Sequence, residues 1–437
     1  MGARGRELLG LVPVTLLVTA GFTAVLVARS NEINKATITY GGIFLGACLA
    51  AHIVIRARLK QADPYLFPLA ALLAGFGLVE LYRIDPSFAI KQAGWFGAGL
   101  VLFVLTVVFL RDIRVLERYR YTIAIVGILL LLAPRIPGIG QQVNGAYLSI
   151  GFGQAAFQPA EFAKLALVIF LASYLNDVRD VLVTGKGLPR ISLKHLMPML
   201  VVFGVTMVML VFIRDLGSSL MFFGAFLALL YVATNRLVLV VPPLAGFVAL
   251  AYFVGKSVPH VQDRVQAWLH PFDSHLYEMP GGSYQLAQSL FSQADGGLFG
   301  RGLGEAMITQ TGGSPIVPAA HTDLIYAVIV NELGLFGAAG LLLAYLLFVA
   351  RGFKTATLAG DGFSKLLATG LTAVFALQVF VIVGGVTRVI PLTGVTLPFV
   401  SYGGSSIVAN FVLLALLLIV SDRARRDPMA DGGGLVR

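Results

Sequence analysis

Pro318-Ala319-Ala320-His321-Thr322-Asp323-Leu324-Ile325-Tyr326-Ala327-Val328-Ile329-Val330 sets a carboxylate at the mouth of an unbroken apolar run. Such a run reads as a membrane-buried helix. A charge at the lip of one is costly in lipid and must face protein or a wet cavity. The stretch decides the fold class, and it makes Asp323 the first place to look for chemistry.

The rest of the chain agrees. Its 437 residues are 57% hydrophobic and 12% charged, with a mean hydropathy of +0.86, where a soluble domain carries about 25% charged residues. Apolar runs of about 20 residues, enough to cross a bilayer, start near Leu8, Tyr40, Tyr65, Gly94, Tyr121, Phe162, Leu196, Leu216, Leu237, Asp323, Lys365 and Ile407. Twelve spans are therefore expected in an all-α polytopic membrane protein. A β-barrel would instead show short alternating segments. The first run follows Arg4 and Arg6 but lacks a small-residue cleavage site, so it reads as a retained helix and not a signal peptide.

With the N-terminus inside, about two thirds of the Lys and Arg residues fall on the inner side, as the positive-inside rule requires. Both termini are expected in the cytoplasm. The net charge of +10 fits this topology and anionic membrane lipid, and calls for no nucleic acid. Cys48 is the single cysteine, so no internal disulfide forms. His321 has no His at i+4, and no metal ligand set is assigned.

Three segments break the apolar pattern, all on the expected outer side: Arg135 to Gln158, Lys256 to Thr322, and Thr387 to Ser406. The second is far longer than an ordinary connection, which marks it as functional. Within it, Val265 to Leu269 and Tyr284 to Phe291 read as short amphipathic helices. Gly296 to Gly304 is glycine-rich, but its spacing matches neither a P-loop nor a dinucleotide fingerprint. Packing is the plainer reading there.

Ionisable residues gather at one depth. Glu161 and Lys164 open the sixth span three residues apart, on one helix face, where they can pair. Arg214-Asp215 lies in the turn before the eighth span. Glu161, Lys164, Asp215 and Asp323 would thus share the outer boundary and could converge on one cavity. Two bland readings stand beside that one: Asp323 with Thr322 caps a helix, and Glu161 serves the helix macrodipole. Glu332 lies about 13 Å deeper than Asp323, a depth that suits a buried structural pair. Pro398 to Ser406 is either a re-entrant turn or a wall of backbone and hydroxyl donors facing a polar substrate.

Several of these stretches resemble one known family. Gln158-Pro159-Ala160-Glu161-Phe162-Ala163-Lys164, Asp215-Leu216-Gly217, Ala320-His321-Thr322-Asp323 with Asn331-Glu332-Leu333-Gly334, and Pro391-Leu392-Thr393-Gly394 leading to Ser401-Tyr402-Gly403-Gly404-Ser405-Ser406 are similar, in the same order, to the SEDS proteins (RodA/FtsW). The likeness covers about residues 63–421, and Gly384 to Arg388 looks more like the RodA branch. Departures include Ala160 for a usual Ser, Leu148 for a common Trp, His270 for Asp and Ile382 for Asn. The resemblance implies a ten-helix core over 63–421, with its large extracellular loop at 256–322 between spans nine and ten. Two extra transmembrane helices precede it in 1–62, and a basic cytoplasmic tail follows at 422–437.

The resemblance further implies a peptidoglycan glycosyltransferase at the outer face of the bacterial cytoplasmic membrane, polymerising lipid II into β-1,4 strands for cell elongation and shape. Asp323 would be the general base, acting in an inverting displacement of undecaprenyl pyrophosphate. A glycosidase needs a second, protonated carboxyl, whereas pyrophosphate leaves unprotonated if cations or donors offset its charge. Lys164, Arg83, Arg264 and a divalent cation (Mg or Mn) are the candidates for that task, with Glu161 orienting Lys164 and Asp215 tuning the network. Gln158, His321, Thr322, Gln288, Ser401 and Ser405 complete the expected site. No cofactor is encoded, and the expected partner is a class B penicillin-binding protein (a transpeptidase). The competing expectations are a lipid II flippase, a scaffold without catalysis, and a division-specific FtsW-type polymerase. A transporter would favour midplane charges and related halves, and neither is evident.

Overall fold

The computed structural model describes residues 2–30, 35–136, 138–143, 146–152, 155–183, 201, 204–205, 215–279, 282–306 and 316–431. Among these, nine helices are long and apolar enough to cross a membrane: Ala3–Ala28, Thr39–Arg58, Leu66–Ile84, Pro86–Phe109, Gly217–Thr234, Leu237–Ser257, Ile325–Leu358, Gly362–Val386 and Gly404–Arg426. The expected fifth and sixth spans are helices as well. Arg120–Leu132 has 13 residues, about 20 Å of rise, short of a hydrocarbon core of about 30 Å. Ala160–Val183 is long enough but carries Glu161, Lys164, Asp177, Arg179 and Asp180. The seventh, near Leu196, falls almost wholly outside the described residues.

The fourth span begins at Pro86, not near Gly94. Asp85 caps it by accepting from the Ser87 N–H at 2.7 Å, and proline suits the first turn. Hydropathy missed this start because Lys91 and Gln92 interrupt the apolar run, yet Gln92 is buried.

The final helix is the central pillar. Its apolar window is 89% buried, against 11% for Leu237–Ser257, which faces outward. It packs along Pro86–Phe109, while Ile325–Leu358 packs on Gly362–Val386 and Arg120–Leu132 on Ala160–Val183. The two N-terminal helices lean on Leu66–Ile84 and Pro86–Phe109, with Phe44 stacked on Phe96 at 5.6 Å. Buried Glu7 joins Arg4 and His52 there, the His52 Nδ1 lying 2.7 Å from the carboxylate. At one end of the bundle Asp63 receives Arg351 (Nε at 2.9 Å) and Arg425. Burial pushes the Asp63 carboxyl up, but these two arginines hold it below its usual range.

The first apolar break folds into a small antiparallel sheet of β1 (Gly140–Val143), β2 (Ala146–Phe152) and β3 (Ala155–Phe157), with Ile150 opposite both Gly140 and Phe157. The long segment before Ile325–Leu358 carries Pro259–Leu269, Ser274–Glu278 and Tyr284–Gly296 as helices, extending the two that the amphipathic pattern marks.

The glycine-rich turn is structural. Gly334, at φ 67°, breaks the helix Ile325–Leu358. Into that break the turn inserts its backbone: the Arg301 and Gly302 N–H groups donate to the Asn331 and Glu332 carbonyls at 2.9 and 3.0 Å. A Cβ on Gly300 would stand 2.1 Å from the Glu332 carbonyl oxygen, so the approach needs glycine. These N–H groups are turned into a helix and offer no phosphate cradle. The loop packs against protein.

Candidate active site

Asp323 lies in the turn just before Ile325, 8% exposed. It does not cap the helix: the N-cap residue is Leu324, and no side chain accepts there. Its Oδ1 accepts from the Thr322 hydroxyl at 2.6 Å. Among the described residues nothing donates to Oδ2, which stands 3.7 Å from where a Cβ on Gly394 would be. Gly394 has φ 73°, a conformation open mainly to glycine. The helix-cap reading therefore fails, and the carboxylate is left with an uncommitted oxygen at the lip of the bundle.

The last loop, Pro391 to Ser406, organises the residues around it. Ser401 Oγ donates to the Thr322 carbonyl at 2.6 Å and accepts from the Leu397 N–H at 2.9 Å. The Tyr402 N–H donates to the His321 carbonyl at 2.8 Å. Gln92 grips the same loop twice, donating to the Ser401 carbonyl at 3.2 Å and accepting from the Gly403 N–H at 3.1 Å. Ser405 Oγ accepts from the Gln158 N–H at 2.8 Å. The segment is a turn held against the Asp323 loop and the helix Pro86–Phe109 by its own backbone and hydroxyl groups. Its Ser401 and Ser405 hydroxyls are engaged with protein.

Arg264 is the cation that shares this loop with Asp323. Its Nη1 donates to the Thr393 carbonyl at 3.2 Å, and its charge is felt by both Asp215 and Asp323. Burial lowers its pKa, and the two carboxylates oppose that shift. The helix Pro259–Leu269 that carries it is strapped down by Trp268, whose Nε1 donates to the Arg388 carbonyl at 3.1 Å. Arg388 Nε answers to the Trp268 carbonyl at 2.9 Å.

Asp215 caps the helix Leu216–Thr234, accepting from the Ser218 N–H at 2.9 Å. Burial raises its pKa, with Ser218 and Arg264 pulling it back. Gly217, next in that helix, packs on Thr393 and Val395. Arg214 lies outside the described residues. Glu161 and Lys164 do pair, and Lys164 Nζ also donates to Gln378 Oε1 at 2.7 Å. Gln378 passes the link on to the Thr396 carbonyl at 2.9 Å. Lys164 is 2% exposed, so its ammonium braces the loop from behind.

Two expected residues stand apart. Arg83 pairs with Glu332 and donates to the Gly304 carbonyl at 3.1 Å. It joins the glycine turn to the helix that follows Asp323, and Glu332 takes the structural role its depth suggests. Gln288 donates to the Tyr277 hydroxyl at 2.7 Å within the long segment before Ile325–Leu358. His321 stacks on Phe88 at 4.1 Å. Burial lowers its pKa, opposed by Asp323 and Asp85, which favours neutral imidazole.

Sequence reasoning missed Gln92, Phe88 and Gln378 as supports of the site. A polar residue inside an apolar helix is itself a signal, and both glutamines give it. Strain marks the same place: Ala319, Arg388 and Phe399 are non-glycine residues at φ 51°, 63° and 65°. Each costs about 1–3 kcal/mol, and such residues cluster at functional sites. Among the described residues no three His, Cys, Asp or Glu side chains gather as a metal site.

Residues 71–426 match the cell cycle protein family FTSW_RODA_SPOVE. The chain is 41% identical over 427 residues to the peptidoglycan glycosyltransferase RodA of Mycobacterium tuberculosis (strain ATCC 25618 / H37Rv), covering 93% of this chain and 88% of that one. Among solved structures, a chain described under structural coordination of polymerization and crosslinking by a peptidoglycan synthase complex is 28% identical with a TM-score of 0.66, covering 84% of this chain and 99% of that one. The rod shape determining protein RodA of Thermus thermophilus is 28% identical with a TM-score of 0.59, covering 82% and 96%.

Proposed function

The chain belongs to the FtsW/RodA/SpoVE family, and on that premise we propose that Asp323 is the general base of a lipid II polymerase. The protein is a multi-pass membrane protein and a peptidoglycan glycosyltransferase of the RodA branch, serving cell elongation and shape. The observation that carries the assignment is the uncommitted Oδ2 of Asp323 on a strained loop shared with Arg264.

In the reaction, Asp323 takes the proton of the 4-hydroxyl on one lipid-linked GlcNAc as that oxygen attacks C1 of another lipid II's MurNAc. The C1–O bond to pyrophosphate breaks, its electron pair leaves with undecaprenyl pyrophosphate, and the α-linked donor becomes a β-1,4 bond. Direct inversion needs one carboxylate and a stabilised leaving group. Arg264 supplies the nearby positive charge, where fixed donors are worth most at developing charge. It replaces Lys164 and Arg83 in that role, because Lys164 is sealed against Glu161 and Gln378 and Arg83 is held by Glu332. Those two, with Asp215, act as braces.

The setting is the bacterial cytoplasmic membrane with both termini in the cytoplasm, supported by the excess of Lys and Arg that the sequence places in the loops on the inner side. A class B penicillin-binding protein is the proposed partner, in keeping with the relative found in a peptidoglycan synthase complex.

The test is incubation of the purified chain with labelled lipid II, in detergent and in vesicles, with and without the cognate transpeptidase. Glycan polymer supports the reading. Movement of labelled lipid II across vesicles with no polymer in any condition would favour the flippase, and neither activity would leave a scaffold.

A further inference from the structure

The end of the bundle opposite Asp323 holds a second polar site. A cavity of about 400 Å³ opens there, where three spans end close together. Four arginines line it: Arg58 closes the helix Lys35–Arg58, Arg111 follows Phe109, and Arg423 and Arg426 belong to the final helix. Its apolar walls include Val107, Leu110, Ile113 and Ile419.

The charge in this cavity is unbalanced. Two carboxylates line it against the four guanidiniums, and both are engaged. Asp422 accepts from the Gln61 N–H at 2.7 Å and pairs with Arg426 at 2.5 Å. Asp112 accepts from the Arg114 N–H at 3.0 Å and lies 3.5 Å from Arg423, which Asp361 also approaches at 3.8 Å. Among the described residues no carboxylate lies within ion-pair distance of Arg58 or Arg111, and both are exposed. Arg426 also donates to the Arg58 carbonyl at 3.2 Å, tying the final helix to the end of the second.

We propose that this cavity binds the phosphate of an anionic phospholipid at the inner leaflet, with Arg58 and Arg111 as its principal ligands. Guanidinium groups match phosphate oxygens in a fork and are weakly hydrated, so they suit a site at the membrane–water boundary. Basic pockets between spans are where anionic headgroups dock. The apolar walls favour a lipid over a free anion, since only a lipid brings a glycerol and acyl segment to cover them. The site is remote from Asp323 and does not depend on the glycosyltransferase reading; its assignment to the inner leaflet rests on the proposed orientation. By linking the second and fourth spans to the pillar, a bound lipid would stiffen the base of the bundle.

The test titrates the purified full chain, in neutral detergent, with short-chain phosphatidylglycerol, short-chain phosphatidylcholine or inorganic phosphate, reading affinity by calorimetry and the thermal midpoint. Saturable binding of phosphatidylglycerol is expected, about tenfold or more tighter than the other two. Arg58→Gln/Arg111→Gln should weaken it about tenfold while leaving the unliganded midpoint unchanged. Arg135→Gln, in the turn at the other end, should leave it intact. Each single substitution should give a partial loss, which keeps the test decisive if the double variant fails to fold. Equal binding of inorganic phosphate would overturn the lipid in favour of a soluble anion. Unchanged phosphatidylglycerol affinity in the glutamine variants would overturn the site.

Discussion

Ser401 Oγ donates to the Thr322 carbonyl at 2.6 Å, one residue from the carboxylate of Asp323. With the Tyr402 N–H on the His321 carbonyl, that bond fastens the last loop to the turn that carries the proposed base. Ser401 Oγ also accepts from the Leu397 N–H, so Ser401 holds the loop and the turn in one register. Ser401→Ala strips a part-buried carbonyl and a buried N–H of their partner, at about 1–3 kcal/mol. We expect a fall in kcat of about tenfold or more with KM for lipid II little changed, and partial recovery in Ser401→Thr. Steady-state polymerisation kinetics check it.

Arg264 answers a different question, which cation serves the leaving group. Arg264→Ala should lower the polymerisation rate by about 100-fold. Arg264→Lys should recover part of that, since it keeps the charge but not the fork that reaches Thr393. Arg83→Lys, which acts on the pair with Glu332, should lower the thermal midpoint more than it lowers the rate per folded molecule. If the two arginines trade these effects, the leaving-group role belongs to Arg83.

Glu161 and Lys164 are both buried, so removing one partner strands the other. Glu161→Gln or Lys164→Met alone should cost about 3–5 kcal/mol, and the double change less than the sum. Thermal unfolding of the four proteins in one detergent gives the coupling. Additive losses would show that the two side chains are not coupled as a buried pair.

His321 sets an acid limit. Burial lowers its pKa below the ordinary value of 6.5, opposed by Asp323 and Asp85. The folded state therefore binds this proton less readily than the unfolded chain does. The stabilisation is fully present above 6.5 and is lost as pH falls from there toward the folded value. As pH falls below 6.5 the wild type should lose stability more steeply than His321→Gln. Unfolding midpoints across that window, for both proteins, check the sign.

Much of this architecture is legible in residue order alone. Continuous apolar runs mark the long helices, and a three-residue spacing marks the Glu161–Lys164 pair. The amphipathic stretches in the long segment before Ile325–Leu358 are helices, as their periodicity indicates. Other features depend on contacts that no local pattern encodes. The break at Gly334 hides inside an apolar run, because what creates it is the backbone of a turn more than thirty residues earlier in the chain. The choice between Arg83 and Arg264 beside Asp323 rests on how distant helices pack. The strands at Gly140 to Phe157 carry too weak an alternation to stand out from a glycine- and glutamine-rich break. Asp85 and Pro86 signal a helix start that hydropathy overlooks, since Lys91 and Gln92 fall inside its first turns.

The most direct measurement is lipid II polymerisation by purified Asp323→Asn and Asp323→Ala beside the wild type, with thermal midpoints showing that each variant is folded. General-base catalysis accounts for about 10²–10⁴ in rate. Both variants should therefore lose at least about 100-fold in polymer formation while still binding lipid II. Polymer formed at the wild-type rate by a folded Asp323→Asn protein would contradict the central claim that this carboxylate takes the acceptor's proton.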